Sequence, residues 1–420
     1  MSSEEATART VMERCDILGG ISEEADCLTR PFATRAMQRV NTTVAKWMQE
    51  AGMSVTRDAI GNLIGRYEGS LEAAKTLVLG SHLDSVRDAG RYDGPLGVMI
   101  ALACVQRLHT RGERLPFAIE VVGFADEEGM RFTRSYLGSR AITGTFDSTW
   151  LEVRDEDGVS MAEAIRAFGG AADSQELAEA LRTPRWPREE LLAYAEVHIE
   201  QGPVLEEMGL PVGVVTAITG QTRLRIGFTG MAGHAGTVPM SMRRDALVAA
   251  AEFVLAVEGI ARAMPGLVAT VGQVNVQPGV SNVIPGQVTL SLDVRHQDDT
   301  IREQALLEME ARGREIGQAR YITFVWQPLE AHEAVPCSAR LAQLFAQAIE
   351  EAGYPVHRLS SGAGHDAAIM SALTEIAMLF VRCKGGISHN RAESVASEDV
   401  GIAIDVLERF ILLLAQEARE

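Results

Sequence analysis

Apolar residues at helical spacing, Val40, Val44, Trp47 and Met48, run up to Gly52, which stands where a helix C-cap glycine belongs. The stretch from residue 8 to residue 52 is therefore read as opening helices. Short β-type runs follow at residues 63–67 and 76–79, then helical spacing over 94–108, then an unbroken apolar run at 117–124. Strand, helix and strand in that order predict a βαβ unit, and with it a parallel or mixed sheet covered by helices. Polar residues fall just after the strands, where open α/β sheets build their sites.

From residue 217 to residue 329 the texture changes. Residues 222–229 alternate, 243–258 are helical, 268–276 and 287–295 read as strands, 301–315 are helical again, and 321–326 is a strand. That β-α-β-β-α-β order is the ferredoxin-like signature. After residue 338 helices alternate with a buried strand at 376–381, and an amphipathic run at 399–415 closes the pattern. The expected fold class is α/β: one discontinuous domain, 1–217 with 331–420, has a mixed sheet covered by helices and surrounds a ferredoxin-like α+β insert at 218–330. No internal repeat and no low-complexity stretch interrupts this reading.

Composition narrows the picture. At 420 residues the chain exceeds what one core usually fills, so two domains are expected. Its 46% hydrophobic and 23% charged residues are those of an ordinary soluble globular protein. A formal charge of -18 argues against a nucleic-acid partner, because phosphate binding draws its affinity from clustered Lys and Arg. It leaves room for a small anionic substrate held by a local arginine. The five cysteines are widely spaced with no CxxC pair, so neither a disulfide framework nor a thiolate zinc site is expected, and a cytoplasmic location fits best. The polar, acidic N-terminus is unlike a signal peptide, and no apolar stretch is long enough to span a membrane.

Candidate chemistry is concentrated at strand exits. His82 and Asp84 follow the first buried strand, two residues apart and so on one face, where the carboxylate can accept the ring's other N–H and fix its tautomer. Asp93 lies just downstream. Three consecutive carboxylates, Asp126, Glu127 and Glu128, follow the run at 117–124. Crowded like charges raise one another's pKa unless cations offset them. These three suit either a solvated acidic turn or a metal site in which one glutamate ligates and its neighbour holds a proton. His198 and His389 each follow a further apolar run; each alone fits a core or loop histidine as well as a ligand. Together the mixed nitrogen and oxygen donors suit zinc, manganese or cobalt.

The segments GSHLDSV, YDGPLGV, FADEEGMRF, HIEQGPVLE, GHAGTVPMSMRRDAL, SNVIPG, SGAGHDA and GGISHN resemble, in order, the motifs of the hydantoinase/carbamoylase group in the aminoacylase/carboxypeptidase clan of dinuclear metallohydrolases. The resemblance covers about residues 75 to 400. It implies that the α/β domain is catalytic and the insert a lid through which a homodimer forms. Two divalent metal ions per subunit are implied, zinc or manganese with cobalt also accepted. His82 and His198 would bind one and Glu128 and His389 the other, with Asp93 bridging. Glu127 would be the general base and Asp84 would orient His82.

His234 would reach from the lid of the neighbouring subunit to stabilise the oxyanion; read from the residues alone, it equally suits a loop histidine near Arg243. Asn282 and Arg295 would take a substrate carboxylate, although Arg295 also suits a strand-edge ion pair. Gln201 and the loop bearing Gly364 and His365 would contact the substrate from the catalytic domain. Within the group, GQTRL, GHAGTVPMSMRRDAL and MLFVRCKGGISHN look most like allantoate amidohydrolases, which release ammonia and carbon dioxide from a ureido group and leave ureidoglycine. N-carbamoyl-L-amino acid hydrolases and β-ureidopropionases share the equipment. Dimetal aminopeptidases and dipeptidases usually present a carboxylate where HIEQGP has its histidine.

Overall fold

The computed structural model describes residues 3–71, 74–169 and 174–418. The chain forms two compact units, Met1–Thr216 with Cys337–Glu420 and Ala217–Pro336. The first begins with helices α1 (Ser3–Gly19) and α2 (Arg35–Glu50), followed by β1 (Ser54–Arg57), β2 (Leu63–Tyr67), β3 (Thr76–His82), α3 (Pro95–Arg111) and β4 (Ala118–Phe124). Three short helices, α4 (Leu137–Thr143), α5 (Met161–Phe168) and α6 (Ser174–Ala180), lead to β5 (Leu191–Ile199), α7 (Val204–Met208) and β6 (Val212–Ile218).

The second unit contains β7 (Gly220–Thr229), β8 (Gly233–His234), α8 (Ala246–Ala263), β9 (Val268–Thr270), β10 (Val274–Gln277), β11 (Val283–Ile284), β12 (Gln287–His296), α9 (Asp299–Arg320), β13 (Thr323–His332) and β14 (Val335–Pro336). The chain then returns to the first unit with α10 (Ala339–Glu351), β15 (Arg358–Ser361), α11 (Asp366–Met370), β16 (Ile376–Val381) and α12 (Ser397–Glu417).

In the first unit the sheet order is β1-β2-β4-β3-β5-β16-β6. Strands β4, β3, β5 and β16 run parallel, while β1, β2 and β6 join antiparallel. Every residue of β3, β4 and β16 is buried, as a sheet covered on both faces requires. One face carries α3, α10 and α12 in a single apolar cluster; the other carries a smaller cluster around Phe32, Phe132, Leu137 and Ile165. Helix α3 is sealed at its ends by sequence: Pro95 opens it and Gly112, at φ 69, closes it in the left-handed conformation. All five cysteines are free.

In the second unit β10-β12-β7-β13 form an antiparallel sheet with β9 also against β12. Helices α8 and α9 bury Phe253, Val257, Met309 and Ile316 against Leu224, Ile226, Leu290 and Leu292. That order is the ferredoxin-like one.

Several boundaries moved for local reasons. Helix α8 starts at Ala246 instead of 243 because the Asp245 side chain caps the Leu247 and Val248 N–H groups. Tyr321, at φ 54, ends α9 in the left-handed region and delays β13 to Thr323. The same strand runs on to His332, so the second unit ends at Pro336, beyond the expected 330. The single strand expected at 268–276 is broken into β9 and β10.

Candidate metal centre

Parallel β3, β4, β5 and β16 end side by side, and the loops beyond their carboxyl ends carry the candidate ligands. His82 is the last residue of β3 and His198 the last but one of β5. Asp93 enters from the turn before α3, Glu128 follows β4, and His389 follows β16. Ligand atoms of His82, Asp93 and His198 lie within 4.8 Å of one another, as do those of Asp93, Glu128 and His389.

Asp93 stands between these two groups. Its Oδ1 faces His198 Nε2 at 3.2 Å and His82 Nε2 at 3.8 Å, and its Oδ2 faces His389 Nε2 at 3.1 Å. His389 Nε2 lies 3.5 Å from Glu128 Oε1.

The ring orientations suit a cation. His198 Nδ1 is 2.9 Å from the Ile199 carbonyl and His82 Nδ1 is 3.2 Å from that of Asp84. A carbonyl only accepts, so each Nδ1 carries the proton and each Nε2 presents a lone pair toward a carboxylate oxygen. Facing lone pairs repel unless a proton or a metal cation lies between them. The donor set, imidazole nitrogens and carboxylate oxygens, therefore fits borderline-soft divalent metals.

Without a cation the crowded carboxylates favour protonated imidazoles, which is the positive charge a metal would replace. Burial alone would lower the His82 pKa, but the hydrogen bond and charge of Asp84, with Glu127 and Glu128, raise it well above 6.5. His389 is pushed up to about 9, first by its hydrogen bond to Asp93. Glu127 is raised well above 4.5 by burial and then by Glu128, whose own pKa is pushed to about 7 by burial.

Asp84 is fully buried and joins the two halves of the site. Its Oδ1 accepts the Glu127 N–H at 3.0 Å and its Oδ2 the Glu128 N–H at 3.2 Å, so one carboxylate sets the backbone of both glutamates. Gly94, at φ +83, provides the other close approach: a Cβ there would lie 2.5 Å from the His82 ring.

Residues 78–413 match peptidase family M20/M25/M40. The chain belongs to that family. It is one of metallohydrolases, and the donor groups just described fit it. The chain is 39% identical to a protein of Oryza sativa subsp. japonica named probable allantoate deiminase, over 94% of this chain and 86% of that one. It is 42% identical to the N-carbamoyl-L-amino acid amidohydrolase of Geobacillus stearothermophilus, over 93% and 94%. Among solved structures, a hydantoinase/carbamoylase-family amidase from Burkholderia multivorans superposes with a TM-score of 0.91 at 33% identity, covering 97% of this chain and 98% of the other.

Within this M20 chain the substrate candidates are distributed unevenly. Gln201, at φ 56, directs its Nε2 to both Asp93 oxygens, at 3.3 and 3.1 Å, and to Ser388 Oγ at 3.1 Å. His365 is buried, bonds Ser361 Oγ at 2.8 Å and packs edge-on against His198 with centroids 4.5 Å apart. Burial and the neighbouring His198 hold its pKa well below 6.5. Gly364 lies beside it in the same loop.

In the second unit β8 pairs with β11, setting His234 opposite Val283 and next to Asn282. The Gly236 N–H donates to His234 Nδ1 at 3.0 Å, which leaves Nε2–H as the free donor of the neutral ring. Arg295 on β12 forms the ion pair that its strand position allowed, donating to Asp293 Oδ1 at 2.9 Å and Oδ2 at 3.1 Å.

Sequence reasoning passed over several residues. Glu393 Oε1 accepts the Tyr92 and Asp93 N–H groups at 2.7 and 3.2 Å, and Ser388 Oγ donates to Asp93 Oδ2 at 2.8 Å. Glu196 is buried two residues before His198 on β5, bonded to Ser81 and Tyr194. The spacing rule that singled out Asp84 beside His82 would have found it.

Proposed function

We infer that this protein is a metal-dependent amidohydrolase acting on a non-peptide C–N bond, the ureido bond of a small carboxylate. Allantoate is the first substrate to test, giving ureidoglycine, ammonia and carbon dioxide; N-carbamoyl-L-amino acids and N-carbamoyl-β-alanine are the alternatives. The observation that carries the hydrolytic chemistry is the two-sided carboxylate of Asp93, facing His82 and His198 with one oxygen and His389 with the other. Relatives at 39% and 42% identity, each spanned nearly whole, support the ureido bond as its target.

His82, His198, Asp93, Glu128 and His389 would hold two divalent cations, zinc or manganese, which supply Lewis acidity and make a water acidic enough to attack near neutral pH. Glu127 takes the proton of that water as it adds to the ureido carbonyl carbon and returns it to the departing nitrogen. The Nε2–H of His234 is the donor we assign to the developing oxyanion, delivered across a homodimer, with Asn282 and Arg295 taking the substrate carboxylate. An active, strictly monomeric enzyme in light scattering would overturn the shared site. The compartment we assign is the cytoplasm.

The decisive experiment incubates metal-reconstituted protein separately with allantoate, N-carbamoyl-L-amino acids and N-carbamoyl-β-alanine and measures ammonia. Absence of ureido turnover with peptide cleavage in its place would overturn the assignment. Glu127→Gln should keep its metal content and lose at least about 100-fold in kcat; substantial turnover with metals bound would remove Glu127 from the base role.

A further inference from the structure

Between Glu128 and α4 the backbone turns through three left-handed residues, Gly129, Thr133 and Tyr136. The last is the most costly: an aromatic residue at φ +66 is a genuine outlier. It also occupies the N-cap of α4, where Ser, Thr, Asp or Asn with extended backbone is preferred, and it caps nothing with its side chain. A residue that breaks two local rules at once is held there for something else.

The loop that holds it is well anchored. The Tyr136 N–H donates to the Glu127 carbonyl at 3.0 Å, and Arg131 in the same loop bonds the Phe32 and Ala33 carbonyls and Asp155. The phenol oxygen lies against Gly364, so closely that a Cβ at that position would overlap it. Tyr136 thus spans from the strand exit bearing Glu127 to the Gly362–His365 loop. Among the described residues its hydroxyl has no hydrogen-bond partner. Tyrosine hydroxyls packed into a fold normally find a partner; this one stands against Gly364 without one among the described residues.

We propose that Tyr136 is a specificity-determining residue whose hydroxyl donates a hydrogen bond to a neutral ureido oxygen of the bound substrate. The inference rests on the ureido-hydrolase reading above. A neutral acceptor fits because the carboxylates of Glu127, Asp366 and Glu128 lie around the phenol, and burial together with their charge keeps it protonated and able to donate. Gly364 is the complementary half: only glycine leaves room for the phenol at this point.

The test compares unaltered enzyme, Tyr136→Phe, Gly364→Ala and the double variant, all metal-loaded, by steady-state kinetics on allantoate and N-carbamoyl-L-amino acids. Metal content and thermal midpoint are recorded for each. Tyr136→Phe should lower kcat/KM by about tenfold, the scale of one uncharged hydrogen bond, with metal content and midpoint unchanged. Gly364→Ala should lower it comparably and cost much less when added to Tyr136→Phe, because both act on one hydroxyl.

Turnover by the unaltered enzyme with an equal kcat/KM for Tyr136→Phe on every ureido substrate overturns this inference alone. Full additivity of the two substitutions does the same, since it would make Gly364 independent of the phenol. No turnover by the unaltered enzyme on any ureido substrate overturns the functional reading, and this inference with it.

Discussion

Asp84→Asn offers the sharpest test of how the centre is built. The native carboxylate is buried and accepts two backbone N–H groups, those of Glu127 and Glu128, one on each oxygen. Asparagine has nearly the same shape but only one acceptor oxygen. Its amide must therefore point at one of the two N–H groups, donor against donor. An N–H left unpaired in a buried place costs about 1–3 kcal/mol, and the remaining bond loses its charge assistance.

About 1.5–3 kcal/mol of this falls on the strand exit that presents Glu128, which converts to about a 10- to 150-fold loss of divalent-cation affinity. Removing the carboxylate charge also weakens cation binding, so Asp84→Glu belongs beside it: the charge stays, but the extra methylene misplaces both acceptors. Competition against a chromogenic chelator, with zinc and with manganese, measures the affinities. Thermal unfolding of the cation-free variants checks that both fold. If Asp84→Asn and Asp84→Glu each bind cations within about threefold of the unaltered protein, the claim that this carboxylate sets the ligand backbone is wrong.

Two other perturbations probe the frame. Gly94→Ala forces a Cβ against the His82 ring and a side chain into a φ of +83, so cation affinity should fall at least as far as in Asp84→Asn; a variant that binds normally would show that His82 can shift at no cost. Asp155 concerns pH. Burial would raise its pKa, but the Val159 N–H and Arg131 outweigh that and leave it below the usual 3.8. A carboxylate with a depressed folded pKa contributes stability above its unfolded pKa and loses it as pH falls through the folded value. Protection against hydrogen exchange in the Gly129–Tyr136 loop, taken relative to the intrinsic amide rate at each pH, should therefore fall below about pH 4 in the unaltered protein. In Asp155→Asn the exchange should be faster at neutral pH and respond less to acid; equal acid sensitivity in both proteins would exclude Asp155 as the cause.

The candidate ligands were legible in the sequence because each is tied to a strand that the pattern itself reveals. His82, Glu128 and His389 follow runs of unbroken apolar residues, and a parallel strand buried on both faces has no other way to be written. The insert was legible for a different reason: β7 and β12 alternate buried and open residues, so their period is visible. By contrast, α4 to α6 are short helices whose apolar residues cluster with one another and with loop residues such as Phe32, Ile60 and Phe132, and local pattern gave no sign of them. β6 was missed as well, although Gly209, left-handed after α7, and Pro211 mark the break ahead of its apolar run.

What stayed hidden in the centre is the support around Asp93. Its backbone is gripped by Glu393 across a separation of 300 residues, and its oxygens receive Ser388 Oγ and Gln201 Nε2 from two other loops. None of these has a local signature, because each is set by the register in which β5 and β16 lie beside β3. Parallel pairing aligns strand ends, so loops distant in sequence meet at one edge. A carboxylate placed there is reached from several sides at once, which is the condition for turning one oxygen to each half of a ligand set. Asp93 faces both ways because four parallel strands stop at the same level, and a substitution that shifted the β3–β5 register by one residue would rotate His82 away from Asp93 while leaving every motif in the sequence intact.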